Sequence, residues 1–141
     1  MTVYADTSFL VSLYVSDNHS ADARSRVVTA PDLWFSPLHF AEWSHAIAQH
    51  IFRGVMRPQE SNEVYDHLAK DRIAGVWKDV ILPEKAYDLC AELARLHCPR
   101  LGVRTIDTLH VACALELRAE MFWTYDERQA RLAKAEGLKT T

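Results

Sequence analysis

The sequence predicts an α/β fold in which a small parallel sheet is covered by helices on both faces. Three observations carry this. Short apolar runs alternate with stretches of helical periodicity along the chain. The four glycines, Gly54, Gly75, Gly102 and Gly137, fall at helix ends or in a connection. The 141 residues, 49% hydrophobic and 25% charged, suit one domain over 1–141 with a two- or three-layer core.

The opening Thr2-Val3-Tyr4-Ala5 reads as a buried strand, and Asp6 follows it directly. The next helix begins at Thr7 and carries Phe9, Leu10, Leu13 and Tyr14 as an apolar stripe; Asp17-Asn18 breaks it. A more polar helix follows from His19 or Ser20 to about Thr29, with Pro31 expected to end it before the strand Leu33-Trp34-Phe35. Ser36-Pro37 is a helix start, Ser as N-cap and Pro at the first helical position. That helix runs to about Arg53, with Leu38, Ala41, Ala48, Ile51 and Phe52 as its apolar positions and Glu42 in its second turn.

A further helix, Gln59 to Ile73, is expected to fold back on it as a hairpin. Val76 to Leu82 reads as a third strand, strongest at Val80-Ile81-Leu82. Pro83 opens a helix with Ala86, Leu89, Cys90, Leu93 and Leu96 on one face, and Pro99 is expected to end it. The helix from Thr105 is apolar almost all round, the mark of a buried helix. Met121 to Thr124 is the fourth strand, Asp126 to about Ala135 the last helix, and the tail from Leu138 a weak edge strand.

A net charge of −3 excludes a wholesale electrostatic nucleic-acid binder, so any contact with nucleic acid needs a local basic patch or a bridging metal. Three cysteines without a CxxC pair suit a reducing cytoplasm, with Cys90 and Cys113 as inert buried thiols. The seven histidines lack zinc-ligand spacing. No signal peptide is expected, and no apolar run reaches the roughly 20 residues that span a bilayer.

The candidate chemistry lies in four acids at comparable junctions: Asp6, Glu42, Asp107 and Asp126. In a doubly wound sheet the carboxyl ends of strands and the amino ends of the following helices share one rim. Two carboxylates about 4 Å apart repel by roughly 4 kcal/mol at an effective dielectric of 20, so a cluster calls for cations or protons. Mg²⁺ or Mn²⁺ suits such oxygen ligands, acidifies water and steadies a leaving oxygen, which points to phosphodiester hydrolysis. Taken singly, Asp6 and Asp126 suit simple helix caps better, Glu42 also suits a solvated position, and Asp107 an i,i+3 pair with Arg104. His110 suits a hydrogen-bonded core histidine. Ser8 and Thr124 suit orienting roles at the rim or ordinary strand-end roles.

The segments Val3-Tyr4-Ala5-Asp6-Thr7-Ser8, Ser36-Pro37-Leu38-His39-Phe40-Ala41-Glu42, Arg104-Thr105-Ile106-Asp107-Thr108-Leu109-His110-Val111-Ala112 and Thr124-Tyr125-Asp126-Glu127-Arg128-Gln129 together resemble the PIN-domain ribonucleases, in particular the VapC-type toxins of toxin–antitoxin pairs. The resemblance implies a PIN-like three-layer α/β/α fold with a parallel sheet of four or five strands. It also implies a cytoplasmic, dimeric endoribonuclease that uses Mg²⁺ or Mn²⁺ and is silenced by a cognate antitoxin. Asp6, Glu42, Asp107 and Asp126 match the acidic quartet, and Ser8 and Thr124 the accompanying polar positions. Arg100, Arg104, Arg128 and Arg131 are candidates for RNA phosphate contacts, with surface ion pairing as their alternative. The apolar and basic turn from Ile51 to Met56 suits dimerisation, antitoxin docking or packing within the domain. A non-catalytic module with the same fold is the competing function. An aspartyl-phosphate enzyme is disfavoured, because a phosphatase of that kind would want a second Asp where Ser8 stands.

Overall fold

The computed structural model describes residues 1–29 and 32–140. In chain order the elements are β1 (Thr2–Ala5), α1 (Thr7–Tyr14), α2 (Ser20–Val27), β2 (Asp32–Phe35), α3 (Pro37–Phe52), α4 (Pro58–Ile73), β3 (Trp77–Asp79), α5 (Lys85–Leu101), α6 (Thr105–Glu116), β4 (Met121–Trp123), α7 (Glu127–Ala135) and β5 (Lys139–Thr140). The sheet has five strands in the order β3-β2-β1-β4-β5, every neighbouring pair parallel. The expected α/β/α arrangement is present, and the tail does add the edge strand. Pro31, expected to end the second helix, and Thr141 lie outside the described residues.

Strand alternation builds two cores. Val3, Ala5, Leu33, Phe35 and Trp123 face Phe9, Leu10, Trp43, Ile47 and Leu68 from α1, α3 and α4. Tyr4 and Phe122 face the other way, onto Ala86, Cys90 and Leu93 of α5, the buried run of α6 and Leu132 of α7. Each fully buried large apolar side chain contributes about 1.5–3 kcal/mol relative to exposure, so this alternation also pins the register.

Several local expectations are corrected. The buried face of α3 is His39, Trp43 and Ile47, an i,i+4 row; Ala41 and Ala48 are exposed, and Phe52 is 87% exposed. Trp43 has the greater apolar area and points at the sheet, so it and not the alanines sets the rotation of the helix. The hairpin partner α4 meets α3 through Tyr65, edge-on to Trp43 at 4.9 Å and to Phe40 at 6.4 Å.

The third strand occupies Trp77–Asp79 and not the more apolar Val80-Ile81-Leu82. Its neighbour β2 gives out after Phe35, where Ser36 turns into α3; the last bond runs from the Val80 N–H to the Phe35 carbonyl, 2.8 Å. With no partner beyond, Ile81 is 87% exposed. Pro99 lies inside α5, not at its end. In the last turn a proline removes only one intrahelical donor. The stop comes from Gly102, whose φ of 66° is a left-handed cap and whose N–H bonds the Cys98 carbonyl at 2.8 Å. On the same helix Leu96 is exposed and His97 turns inward, 3.0 Å from Glu136.

His39 joins the first two strands to the rim of the sheet. It is fully buried, its Nε2–H donates to the Ala5 carbonyl at 2.7 Å, and Nδ1 accepts from the Ser36 N–H at 3.1 Å. Burial depresses its pKa to about 3, so it stays neutral as a structural link.

Candidate active site

The strand order reverses about β1: β2 lies on one side and β4 on the other, so the carboxyl ends of β1 and β4 border a crevice. Asp6 occupies it. Its N–H extends the ladder to the Trp123 carbonyl, 2.9 Å. Its Oδ1 accepts from the Phe9 N–H at 3.0 Å and from Ser8 Oγ at 2.7 Å, while Thr124 Oγ1 lies 2.7 Å from Oδ2. Asp6 therefore does cap α1, and it also lines the crevice. Asp126 has the same double character, capping α7 through the Gln129 N–H at 2.8 Å.

Burial raises the Asp6 pKa to about 6, against the opposing pull of Ser8, His110, the Phe9 N–H and Thr124. Proton counting at Thr124 agrees. Its single hydroxyl hydrogen has two acceptors, Asp6 Oδ2 and Gln129 Oε1 at 2.9 Å, while the Asp126 N–H already donates to its oxygen. A neutral Asp6 supplies the missing hydrogen; an ionised Asp6 leaves Gln129 Oε1 without this donor.

Glu42 reaches the crevice from the second turn of α3. Its Oε1 accepts from Thr7 Oγ1 at 2.6 Å and from His110 Nε2. Burial opposes its ionisation, but His110 and Thr7 outweigh burial and the pKa is lowered. His110 is thus the expected core histidine, with Nδ1 2.7 Å from Tyr4 Oη, yet its other nitrogen steers an acid. Asp107 sits in the first turn of α6. Its pKa is raised by burial, then by the charges of Asp126 and Glu42; His110 and Arg104 only partly offset this. Among the described residues no ion pair joins it to Arg104, the arrangement the spacing had allowed.

All four acids line one open cavity of about 740 Å³. They share it without closing on a point: among the described residues no three His, Cys, Asp or Glu side chains form a metal cluster. Glu42 is bonded by Thr7 and His110, and Asp107 feels the charges of Asp126 and Glu42. As a donor set the four carboxylates fit a hard divalent cation, since burial raises Asp6, burial with the charges of Asp126 and Glu42 raises Asp107, and a cation would favour the ionised form of both.

The arginines divide. Arg104 and Arg128 line a recess of about 490 Å³ with Asp107 and Asp126. Arg131 lines another beside Asp126 and stands 3.9 Å from Glu127, an exposed pair. Arg100, in the last turn of α5, lines neither.

Sequence reasoning missed Thr7 and Gln129. Gln129 is fully buried; besides meeting Thr124, its Nε2 donates to the Asp107 carbonyl at 3.0 Å, tying α7 to the start of α6. Its position three residues after the Asp126 cap was the available signal. Gln129→Ala is expected to destabilise the fold by about 2 kcal/mol, because buried partners lose their bonds. Urea unfolding checks this; an unchanged midpoint would show that the tie carries no energy.

A family model described as PIN domain matches residues 3–135. No curated protein matches the sequence significantly. Among solved structures the chain is similar to VapC20 of Mycobacterium tuberculosis, a toxin that cleaves the sarcin-ricin loop. That match has 15% identity and a TM-score of 0.72, covering 97% of this chain and 96% of the other. It is similar also to FitAcB from Neisseria gonorrhoeae, with 14% identity, a TM-score of 0.72 and coverage of 99% and 96%. A third is VapBC2 from Rickettsia felis, solved with a DNA fragment from its promoter, with 14% identity, a TM-score of 0.67 and coverage of 100% and 98%. At these identities the likeness is one of fold. No helix among the described residues is long and apolar enough to cross a membrane.

Proposed function

The chain belongs to the PIN-domain family, and from that premise we propose that it is a divalent-metal-dependent endoribonuclease acting as the toxin of a toxin–antitoxin pair. The observation that carries this is that four carboxylates from separate parts of the chain line one cavity at the switch point of the sheet. The toxin role draws support from the fold likeness to VapC20, itself a toxin that cleaves the sarcin-ricin loop, and to a toxin–antitoxin complex from Klebsiella pneumoniae. A cognate antitoxin and a homodimer belong to the same proposal.

Asp6, Glu42, Asp107 and Asp126 would hold Mg²⁺ or Mn²⁺. When bound there, the cation supplies Lewis-acid activation of water and neutralises phosphate charge. The chain's own residues do the rest. Ser8 and Thr124 orient the Asp6 carboxylate, and Thr7 and His110 orient Glu42. Arg104 and Arg128, which share a recess with Asp107 and Asp126, and Arg131, which shares another with Asp126, would take flanking phosphates; Arg100 lines neither recess. One water is consumed and one P–O bond of the RNA backbone breaks.

The test incubates purified protein with single-stranded RNA in Mg²⁺ or Mn²⁺, and again with chelator. Internal cleavage that chelator abolishes is expected. Intact RNA in both metals, with partner binding preserved, would favour the non-catalytic module.

A further inference from the structure

We propose that the ring stack Phe9–Tyr125–His19 is a platform for a nucleobase of single-stranded RNA, which lies on His19 while its phosphate enters the acid cavity. The inference rests on the endoribonuclease reading and adds to it a base subsite.

The stack grades from core to solvent. Phe9 is 1% exposed; the Tyr125 ring stacks on it at 5.7 Å and 14°, and the His19 ring on Tyr125 at 4.1 Å and 9°. His19 is exposed and ends the series. The Tyr125 ring is held at its hydroxyl, and the backbones that carry Tyr125 and His19 are held as well. Tyr125 Oη donates to Asp22 Oδ2 at 2.7 Å, the Tyr125 N–H donates to Ser8 Oγ at 3.0 Å, and the His19 N–H donates to Asp17 Oδ1 at 2.8 Å. A flat ring held this way loses little freedom when another ring covers it, the condition under which binding costs least entropy.

Position names the ligand. His19 and Tyr125 line the same cavity as Asp6, Glu42, Asp107 and Asp126. A group that reaches both an aromatic face and a phosphodiester site is a nucleotide within a strand. Stacking of bases on aromatic side chains tolerates any base, because every base has a π-face. The Ser8 hydroxyl gives the platform a direct tie to the acids, since it accepts from Tyr125 and donates to Asp6.

The test measures binding of a short mixed-sequence single-stranded RNA carrying 2-aminopurine, by fluorescence, in an Asp6→Asn background with Mg²⁺ present. His19→Ala is expected to weaken binding about tenfold or more and to abolish stacking-induced quenching. His19→Trp is expected to keep both, and His19→Lys to behave like His19→Ala. The salt dependence of binding is expected to stay as in the parent, because no phosphate contact is removed. RNA that the wild-type chain cleaves but that binds His19→Ala and the parent alike would overturn the platform and leave the nuclease reading intact. Binding retained by His19→Lys and lost by His19→Trp would assign the contact to charge and overturn it too. RNA neither bound nor cleaved by the unmodified chain would overturn both readings.

Discussion

Asp6→Asn is expected to reduce metal-dependent RNA cleavage by at least about a thousandfold, the loss of several kcal/mol of charge stabilisation at tenfold per 1.36 kcal/mol. The fold should survive. Asparagine keeps an oxygen for the Phe9 N–H and Ser8 Oγ, and its amide can donate to Thr124 Oγ1, which frees the Thr124 hydrogen for Gln129. The variant therefore removes a charge while leaving every local bond a partner.

The same substitution has a stability signature with a definite sign. Burial holds the folded Asp6 pKa at about 6, above the ordinary aspartate value of 3.8 that stands for the unfolded chain. The folded state thus binds the proton more tightly. That contribution is fully present below the unfolded pKa and is lost as pH rises through about 6, amounting to about 3 kcal/mol by neutral pH. Buried His39, with its pKa depressed to about 3, acts in the opposite sense, stabilising above its unfolded pKa and losing that as pH falls. It is common to both proteins and cancels in the difference. Without divalent metal, Asp6→Asn should gain on the wild type from about pH 4 to pH 7 and then level off. Added Mn²⁺ should raise the melting temperature of the wild type more than that of the variant. A pH-independent difference would refute the buried-carboxylate assignment; full cleavage by the variant would remove Asp6 from the site.

His110→Ala carries the second large effect, about 10- to 100-fold in cleavage, as expected for a residue that orients a ligand without touching the reacting atoms. His110 Nε2 donates to Glu42 and its Nδ1 meets Tyr4. Truncation leaves Glu42 with Thr7 alone and takes the imidazole partner from the buried Tyr4 hydroxyl, so the fold should also weaken by about 2–4 kcal/mol. The diagnostic is a metal titration: half-saturating Mn²⁺ for cleavage should rise in His110→Ala. In Tyr4→Phe, which keeps the imidazole against Glu42, it should stay near the wild-type value. An unaltered titration in His110→Ala would reduce His110 to core packing.

Much of the fold was legible because its signals are local. Ser36-Pro37 begins α3, and Asp6 and Asp126 cap the helices that follow them, since a cap involves only the next turn. The uninterrupted apolar character of α6 announced its burial. The misread positions are those where a neighbour decides. Nothing in the composition of 76–82 reveals that β2 ends at Phe35 and leaves Ile81 unpaired. Leu96 and His97 are adjacent; the buried row Ala86, Cys90, Leu93 carries on to His97, which meets Glu136 there.

By itself, the sequence determined the alternation of strands and helices, the helix starts and the identity of four junction acids. The tertiary structure alone decided how those acids are held. Glu42 and His110 are 68 positions apart and Asp6 and Thr124 118, so no local rule links them. Their bonds exist because packing on both faces places β1 between β2 and β4, and that order sets the carboxyl ends of β1 and β4 around one cavity. Burial there raises the pKa of Asp6 while it still caps α1, because the cost of its charge depends on surroundings contributed by the whole chain.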